Sequence, residues 1–350
     1  MKIETKKLLN CLNLLGNAIA TKSTDQPILQ MIEFNVVDDT LKGYTFDKTN
    51  YLEVTIESNV QEDFSAIVNY PQFYNIIKSI KSDIVELSTD KKALKIKSAT
   101  LKCKIPIQVN SEGNKISVVK PNMIDSTYNQ IDLSKISSYI SNIKSIVDEN
   151  FAVECYQNVY FGKDAMLITD TNNIIKIEES FFDTDILLAM STLRLLSAIN
   201  SYEPNMSYII NDNKLYIKTD TINLQVIGKN KTDFQYDDLN GLFDIQINGV
   251  TTISGNELVA AINSSTIFNN YDKIDLCFNE KGVSLNIIPI DLSYSISTNK
   301  CSISDNYMVT RDVLKRLILS KDDLSIYYGN KDFRFLKVQS NNIAGIFSIG

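Results

Sequence analysis

The residue types that carry most enzyme chemistry are absent or scattered in this sequence. It has no histidine, which excludes Ser-His-Asp and Cys-His nucleophile systems, histidine-ligated metals and a histidine general base. Aspartate and glutamate are plentiful, but none falls in a recognisable catalytic pattern, and no glycine-rich phosphate loop is present. The chain is therefore predicted to have no catalytic residue, no metal and no cofactor.

The cysteines and the Asp-Asn clusters point to structural roles. The polar runs Asp170–Asn173 and Asn211–Asn213 are typical of turns, because neither has the carboxylate spacing of a calcium-binding loop. The cysteines are odd in number and include no CxxC pair, which favours buried, reduced thiols over disulfides or a zinc site. They are Cys11, Cys103, Cys155, Cys277 and Cys301.

Lysine and arginine offer the remaining chemistry, which is contact with phosphate groups. The net charge of −7 argues against nonspecific coating of nucleic acid, although it leaves room for a local basic surface. Each predicted helix has an apolar stripe and a polar face that is rich in Lys, Arg, Asn, Ser and Gln and poor in acid. The acidic surplus is therefore expected on strands and loops. The basic members of the helical faces are Lys7, Lys78, Lys81, Lys135, Lys144, Arg194, Arg311 and Lys315.

These helices belong to a pattern that occurs three times. The stretch Met190–Asp220 reads as an amphipathic helix, a break, and two strands joined by a tight polar turn. Similar stretches occupy Pro71–Ala99 and Thr310–Ser340. Copies about 120 residues apart indicate whole domains rather than a solenoid repeat. The predicted domains are residues 1–121, 122–238 and 239–350.

Each predicted domain reads as strand, helix, several strands, helix and several strands. This order predicts an α+β fold in which two helices pack on antiparallel sheet. Thr310 is predicted to cap the last helix, and another helix is predicted to start at Met190. The other helices are predicted over Lys6–Thr21, Pro71–Ser82, Ser134–Val147 and Gly255–Ser264.

The sequence also bears on location. No apolar run approaches membrane-spanning length. The start, MKIETKKLLN, lacks the apolar core and cleavage site of a signal peptide. We therefore expect a soluble, cytoplasmic protein without membrane contact.

In this order and at this length, the three copies resemble the bacterial-type sliding clamp, the β subunit of the replicative DNA polymerase. The opening MKIETKKLLNCLNLL resembles the first strand and helix of that family, and QPIL at Gln26–Leu29 resembles its Pro-Ile-Leu. LITD at Leu167–Asp170 occupies the place of the Thr-Asp that begins the family's Thr-Asp-Gly-His-Arg-Leu segment. VTRDVLKRLI, from Val309, is similar to the last-domain helix, and the chain ends on an apolar strand. The resemblance rests on the ordered set of matches, which runs along most of the chain.

The resemblance implies three clamp-type domains per subunit and a head-to-tail homodimer that closes into a ring. Helices would line a hole around double-stranded DNA, and the basic residues named above would make loose, sequence-independent phosphate contacts. DNA polymerase and clamp-loader subunits would dock short peptides in an apolar groove between the middle and last domains. Carried over by position, the groove would use Tyr156, Thr169, Thr171, Asn172, Asn173, Ile174, Leu242, Phe243, Ile346, Phe347 and Ile349. The candidate contacts at ring closure are Ile105, Ile267 and Phe268.

The sequence departs from the family pattern around this groove. Asp170–Ile174 lacks the family's Gly, His and Arg, and the chain end lacks its usual Pro and Arg. The loop Ser23–Asp25 also lacks a usual Arg. These changes leave a ring architecture untouched but alter the expected peptide specificity. A divergent clamp encoded by a phage or mobile element is a hypothesis that fits them.

Two other classes of function compete with this interpretation. An enzyme without histidine would need a carboxylate pair, as in glycoside hydrolysis. A structural or receptor-binding protein, such as a virion component, could also be built from repeated α+β modules with no role on DNA. A clamp differs from both because it should be a compact dimer without turnover that is retained on circular DNA.

Overall fold

A computed structural model of the chain describes residues 1–20, 25–37, 39–57, 63–90, 92–110, 112–265, 272–296, 298, 301, 303–329 and 334–349. Two predicted ring-closure contacts, Ile267 and Phe268, lie outside the described residues, as do Ser23 and Thr24 of the divergent loop. In the described part, helices and antiparallel sheets alternate as expected. The predicted α+β class is confirmed.

Seven α-helices lie in the described residues. They are α1 (Thr5–Leu15), α2 (Tyr70–Ser79), α3 (Ile136–Ile146), α4 (Met190–Tyr202), α5 (Tyr236–Gly241), α6 (Gly255–Ser265) and α7 (Arg311–Arg316). The first is shorter than predicted, because a 3-10 turn follows over Gly16–Ala18 and Ile19 is extended. Thr310 caps α7 as predicted, since its side chain accepts a hydrogen bond from the Val313 N–H at 3.3 Å.

The strands are short, and many neighbouring strands are joined by tight turns. The predicted turn at Asn211–Asn213 is confirmed, with left-handed φ values of 48° at Asp212 and 57° at Asn213. The strands of the described residues are β1 (Lys2–Glu4), β2 (Met31–Val37), β3 (Thr40–Phe46), β4 (Asn50–Glu57), β5 (Phe64–Asn69), β6 (Ile84–Thr89), β7 (Ala93–Lys97), β8 (Lys102–Pro106), β9 (Asn129–Ile131), β10 (Asn158–Phe161), β11 (Met166–Thr169), β12 (Asn173–Ile177), β13 (Ile186–Ala189), β14 (Met206–Asn211), β15 (Lys214–Lys218), β16 (Ile222–Ile227), β17 (Gly249–Ser254), β18 (Lys273–Asn279), β19 (Gly282–Ile287), β20 (Leu292–Ile296), β21 (Asp305–Thr310), β22 (Asp323–Tyr328), β23 (Phe335–Ser340) and β24 (Ile343–Ser348).

The sheets repeat one arrangement of strands three times. The two eight-stranded sheets have the orders β5-β2-β3-β4-β16-β15-β14-β9 and β13-β10-β11-β12-β24-β23-β22-β17. Two four-stranded sheets have the orders β1-β6-β7-β8 and β20-β19-β18-β21. Adding eight to the strand numbers of β5-β2-β3-β4 gives β13-β10-β11-β12, and adding eight again gives β21-β18-β19-β20. The predicted set of three similar modules is confirmed.

The backbone divides into two compact units, each containing one eight-stranded sheet. The first unit comprises Met1–Ser137 and Ser191–Gly228. The second comprises Ser138–Met190 and Lys229–Gly350. The middle module therefore gives strands to both units. The domain bounds after residues 121 and 238 stay a prediction.

Within each unit, one strand pairing joins two modules. In the first unit β4 pairs with β16, and Leu52 lies opposite Leu224. In the second unit β12 pairs with β24, and Ile174 lies opposite Ile346. These pairings turn two four-stranded half-sheets into one continuous sheet, so that side chains from different modules share a face.

The eight-stranded sheet of the first unit is covered on both faces. On one face, Phe34 of β2 packs edge-on against Phe73 of α2, with ring centroids 5.0 Å apart. On the other face, Glu33 accepts hydrogen bonds from the Val118 N–H at 2.7 Å and from the Lys120 ammonium at 2.9 Å. The connection that follows the first module is thereby fastened to the sheet, because a buried carboxylate needs such partners.

Candidate functional site

An apolar cluster lies on one face of the eight-stranded sheet in the second unit. Its sheet residues include the cross-strand partners Ile174 and Ile346. The connection between β16 and β17 crosses this face and adds Phe234 and Phe243. The remaining buried members are Cys155, Tyr160, Leu167, Leu187 and Ala344. This set, called the apolar cluster below, brings together strands from the middle and last modules.

Four of the predicted groove residues meet at the apolar cluster. Ile174, Phe243 and Ile346 are among its buried members, and the half-buried Tyr156 packs against it. Leu242 precedes Phe243 and is 37% exposed, so its side chain is available to a partner. The cluster members themselves are buried, so the apolar surface open to a ligand here is that of Leu242 and the half-buried Tyr156.

Two predicted groove residues lie on the other face of the sheet. Successive side chains of a strand point to opposite faces, so Phe347 faces away from Ile346. Phe347 is fully buried, and it lies against the Gly345 backbone on the face that also meets Leu319. Ile349 follows the same alternation and is 4% exposed. The assignment of Phe347 and Ile349 to the groove is corrected by this alternation.

A four-residue turn, Asp170–Asn173, borders the apolar cluster between β11 and β12. The Asp170 carboxylate accepts hydrogen bonds from the backbone N–H groups of Asn172 at 3.0 Å and Asn173 at 2.7 Å. Thr171 has a φ of 72°, and its N–H donates to the Thr169 hydroxyl at 3.0 Å. The Ser348 N–H donates to the Asn172 carbonyl at 3.1 Å, which joins the turn to the end of β24. The predicted residues Thr169, Thr171, Asn172 and Asn173 therefore shape the border rather than the apolar surface itself.

Two lysines hold Phe243 in place. The Lys337 ammonium donates a hydrogen bond to the Phe243 carbonyl. Burial lowers the pKa of Lys337, because the charged form loses water there. The Lys176 ammonium lies 5.9 Å from the centre of the Phe243 ring, within reach of a cation–π contact. Sequence reasoning missed both lysines, which lie on the same sheet face as Ile174 and Ile346.

A cavity of about 530 Å³ adjoins the aromatic side of the cluster. Tyr160 lines it, stacked between Phe234 and Tyr236 at centroid distances of 4.9 Å and 4.8 Å. Its hydroxyl donates to Asp185 at 3.0 Å, and burial, with Asp185 adding to it, raises the pKa of Tyr160. The other lining carboxylates are Asp164, Asp237 and Asp238. This cavity was not predicted from the sequence.

The residues predicted to face DNA lie on or beside five helices of the repeated modules. Lys7, Lys78, Lys144, Arg194 and Lys315 are exposed on α1, α2, α3, α4 and α7. Lys81 follows α2, Lys135 precedes α3, and both are exposed. Arg311 is half-buried at the start of α7. Lys315 forms an ion pair with Asp312 at 3.6 Å.

The charged residues of these helices are mostly basic. Helices α1, α2, α3 and α4 contain no aspartate or glutamate, although the whole chain has 42 acidic and 35 basic residues. In the first unit α1 and α2 are joined by the Tyr74 hydroxyl, which donates to Asn13 at 2.9 Å. The Lys78 ammonium lies 5.6 Å from the Tyr74 ring centre. The two helices thus present one neutral-to-basic surface.

The edge strand β8, which contains the predicted contact Ile105, has both buried and exposed side chains. β8 is the last strand of its four-stranded sheet, and β20 is an end strand of the other four-stranded sheet. The Ile105 side chain is fully buried inside its own unit, whereas Lys102, Lys104 and Pro106 are exposed. The backbone of β8, and not the Ile105 side chain, is therefore the part open to another chain.

The described residues contain neither a metal cluster nor a membrane helix. No three His, Cys, Asp or Glu side chains within the described ranges are grouped so that they could hold a metal ion. No helix in that part of the chain is long and apolar enough to cross a membrane.

Comparisons with known proteins agree with this architecture. Residues 1–113 match the family described as DNA polymerase III beta subunit, N-terminal domain. No curated protein matches the sequence. The DNA polymerase III beta chain of Streptococcus pneumoniae has a similar structure, with a TM-score of 0.83, 13% identity, and coverage of 100% of this chain and 98% of that one.

Two further structures are similar at the same level. The DNA polymerase sliding clamp of Bacillus subtilis has a TM-score of 0.83 at 14% identity and covers 100% of this chain and 98% of its own. The Helicobacter pylori beta clamp bound to a DNA ligase peptide has a TM-score of 0.77 at 14% identity, with coverage of 100% and 99%. The chain thus has the fold of the bacterial DNA polymerase III beta clamp along its whole length, and its first 113 residues match the N-terminal domain of that family.

Proposed function

We propose that this protein is a DNA sliding clamp, a non-catalytic processivity factor that encircles duplex DNA and tethers its partners. The observation that carries the proposal is the sorting of charge. Basic residues recur on the helices of every module, and four of these helices contain no acid in a chain of net charge −7. The clamp fold supports the same conclusion.

The charge pattern suits a protein that slides. A ring is held on DNA by topology, so it needs few direct contacts and can be acidic elsewhere. Lysine and arginine contacts to phosphate are independent of sequence and weaken as salt rises. Exposed lysines such as Lys78 would make such loose contacts without fixing the ring at one position.

The apolar cluster supports the second half of the proposal, which is the binding of partner peptides. Leu242 and the half-buried Tyr156 expose apolar surface above the buried residues Ile174, Phe243 and Ile346. A few apolar side chains that enter such a surface can supply most of the affinity of a short peptide. The related Helicobacter pylori clamp binds a DNA ligase peptide. We assign DNA polymerase and clamp-loader subunits as the partners of this chain.

The strand repeat supports ring closure between two copies of the chain. β16 pairs with β4 and β24 pairs with β12, so the next pairing in the series joins β8 to β20. Both are end strands of four-stranded sheets, and pairing them between two copies would build two more eight-stranded sheets. Such a head-to-tail contact gives a closed homodimer when its rotation closes.

The experiment has two parts. Native mass spectrometry should give twice the subunit mass of 39.5 kDa, and low-resolution electron microscopy should show a ring with an opening wide enough for a duplex. A bacterial clamp loader should then place the protein on nicked plasmid circles, where it resists a high-salt wash until the circle is cut. A monomer, or release that ignores cutting, would contradict the proposal and favour a module protein without a DNA role.

A further inference from the structure

The turn beside the apolar cluster has a counterpart in the first unit. Asp47–Asn50 joins β3 to β4, as Asp170–Asn173 joins β11 to β12. In both turns the aspartate carboxylate accepts a hydrogen bond of 2.7 Å from the asparagine N–H. The second residue of each turn is left-handed, with a φ of 84° at Lys48 and 72° at Thr171. The two turns are copies of one structure.

The two copies are fastened to their units in different ways. In the first unit the Asn50 side-chain oxygen accepts a buried hydrogen bond of 2.8 Å from the Thr192 hydroxyl of α4. In the second unit the corresponding oxygen of Asn173 is buried without a hydrogen bond among the described residues. There the contact from the helix is instead an ion pair, at 3.0 Å, between Arg316 of α7 and the Asp170 carboxylate.

Dissolved salt should weaken the Arg316–Asp170 ion pair but not the Thr192–Asn50 hydrogen bond. The Thr192 hydroxyl is buried and neutral, so dissolved salt does not weaken its bond to Asn50. The Arg316 side chain is 32% exposed and its partner Asp170 is 14% exposed, so ions and water reach the pair. Breaking that pair would release the turn from α7 at the border of the apolar cluster.

We infer that Arg316 is a positioning residue for the peptide groove: through Asp170 it holds the turn that borders the apolar cluster. This inference rests on the proposed peptide-binding function. Arg316 acts on the shape of the groove and makes no contact with the peptide in this scheme. Peptide affinity should therefore depend on salt through the Arg316–Asp170 pair, whatever the charge of the peptide.

The test measures the affinity of the DNA ligase peptide seen on the Helicobacter pylori clamp, by fluorescence anisotropy, at several salt concentrations. Arg316→Gln should weaken binding about two- to fivefold at low salt, which is the upper part of the range expected for a partly exposed pair. The affinity of this variant should also fall less steeply with salt than that of the wild type. Asp170→Asn should behave in the same way, and the double variant should be no weaker than either single variant.

Two controls keep the result specific. Lys321→Gln removes an exposed charge shortly after α7 and should leave affinity and salt dependence unchanged. Arg316→Lys keeps the charge and should restore part of the affinity. If Arg316→Gln fails to fold, as judged by thermal unfolding, Arg316→Lys and Asp170→Asn decide the matter.

The outcomes separate this inference from the proposed function. If the wild type binds the peptide and Arg316→Gln binds it equally well, the positioning role alone is overturned. Additive losses in the double variant would overturn it too. A loss of thermal stability with unchanged peptide affinity would overturn it as well, because the pair would then serve only the fold. Absence of any wild-type binding would overturn both the positioning role and the proposed groove.

Discussion

Val313, the third residue of α7, holds the position that Thr192 holds as the third residue of α4. The Thr192 hydroxyl donates to Asn50 at 2.8 Å, whereas valine has no hydroxyl, and the corresponding Asn173 oxygen has no hydrogen bond among the described residues. Buried polar atoms nearly always have partners in folded proteins. The modules thus differ by one hydrogen bond at equivalent places.

This difference predicts a stabilising substitution. Val313→Thr should place a hydroxyl next to the Asn173 oxygen and raise the free energy of unfolding by about 1 kcal/mol. The matched change in the other copy, Thr192→Val, should lower it by about 1–3 kcal/mol, because the Asn50 oxygen would then be buried alone. Urea titration of both variants checks the prediction. Equal effects of the same sign would contradict the equivalence of the two positions.

The left-handed turn residue gives a second prediction. Thr171 has a φ of 72°, which is costly for a β-branched side chain and free of steric cost for glycine. The sliding clamp family, which the sequence resembles, has glycine at this position of its Thr-Asp-Gly segment. Thr171→Gly should raise the free energy of unfolding by about 0.5–1 kcal/mol, after the extra entropy of the unfolded glycine is subtracted.

Lys48→Gly is the matched control for this change. Lys48 has a φ of 84° in the equivalent turn but is not β-branched, so glycine should help less there. Thermal unfolding of the two variants compares them directly. A larger gain at Lys48 than at Thr171 would argue against strain from the branched side chain.

The two faces of β24 and its surroundings can be separated by mutation. Leu242→Ser removes an exposed apolar side chain and should weaken peptide binding while leaving the melting temperature unchanged. Phe347→Ala removes a fully buried ring and should destabilise the fold by about 3–5 kcal/mol. Anisotropy with the ligase peptide and thermal unfolding measure the two effects. A stable Phe347→Ala variant that fails only in peptide binding would return Phe347 to the groove.

The basic helical faces predict a salt-dependent effect on DNA. Lys78→Glu combined with Arg194→Glu should reduce retention on plasmid circles, and the slope of binding against salt should fall by about one per removed phosphate contact. Lys281→Glu is the control, because it makes the same reversal of charge in the exposed turn between β18 and β19, away from the helices. Equal losses from the control and from a helical variant would mean that net charge alone governs retention.

Local pattern was sufficient for much of the fold. The apolar stripes of the helices, the Thr310 cap and the Asn211–Asn213 turn depend on residues a few positions apart, and each was predicted from the sequence. The threefold repeat was visible for the same reason, because each copy has the same order of helix and strand patterns in its own sequence. The end of α1 was not predicted. At that end the Tyr70 hydroxyl, from another helix, donates to the Leu12 carbonyl at 2.8 Å and leaves no room for a side chain at Gly16, and such a long-range contact is not visible in the local pattern.

The sequence by itself determined the class of the elements, their threefold order and the separation of basic helices from an acidic remainder, because these depend on neighbours along the chain. Only the tertiary structure decided that Ile346 rather than Phe347 shares a face with Ile174, since the pairing of β12 with β24 sets the register. It also brought Arg316 to Asp170 across 146 positions of the chain. Contacts at that range depend on how whole modules pack, and no local propensity encodes them.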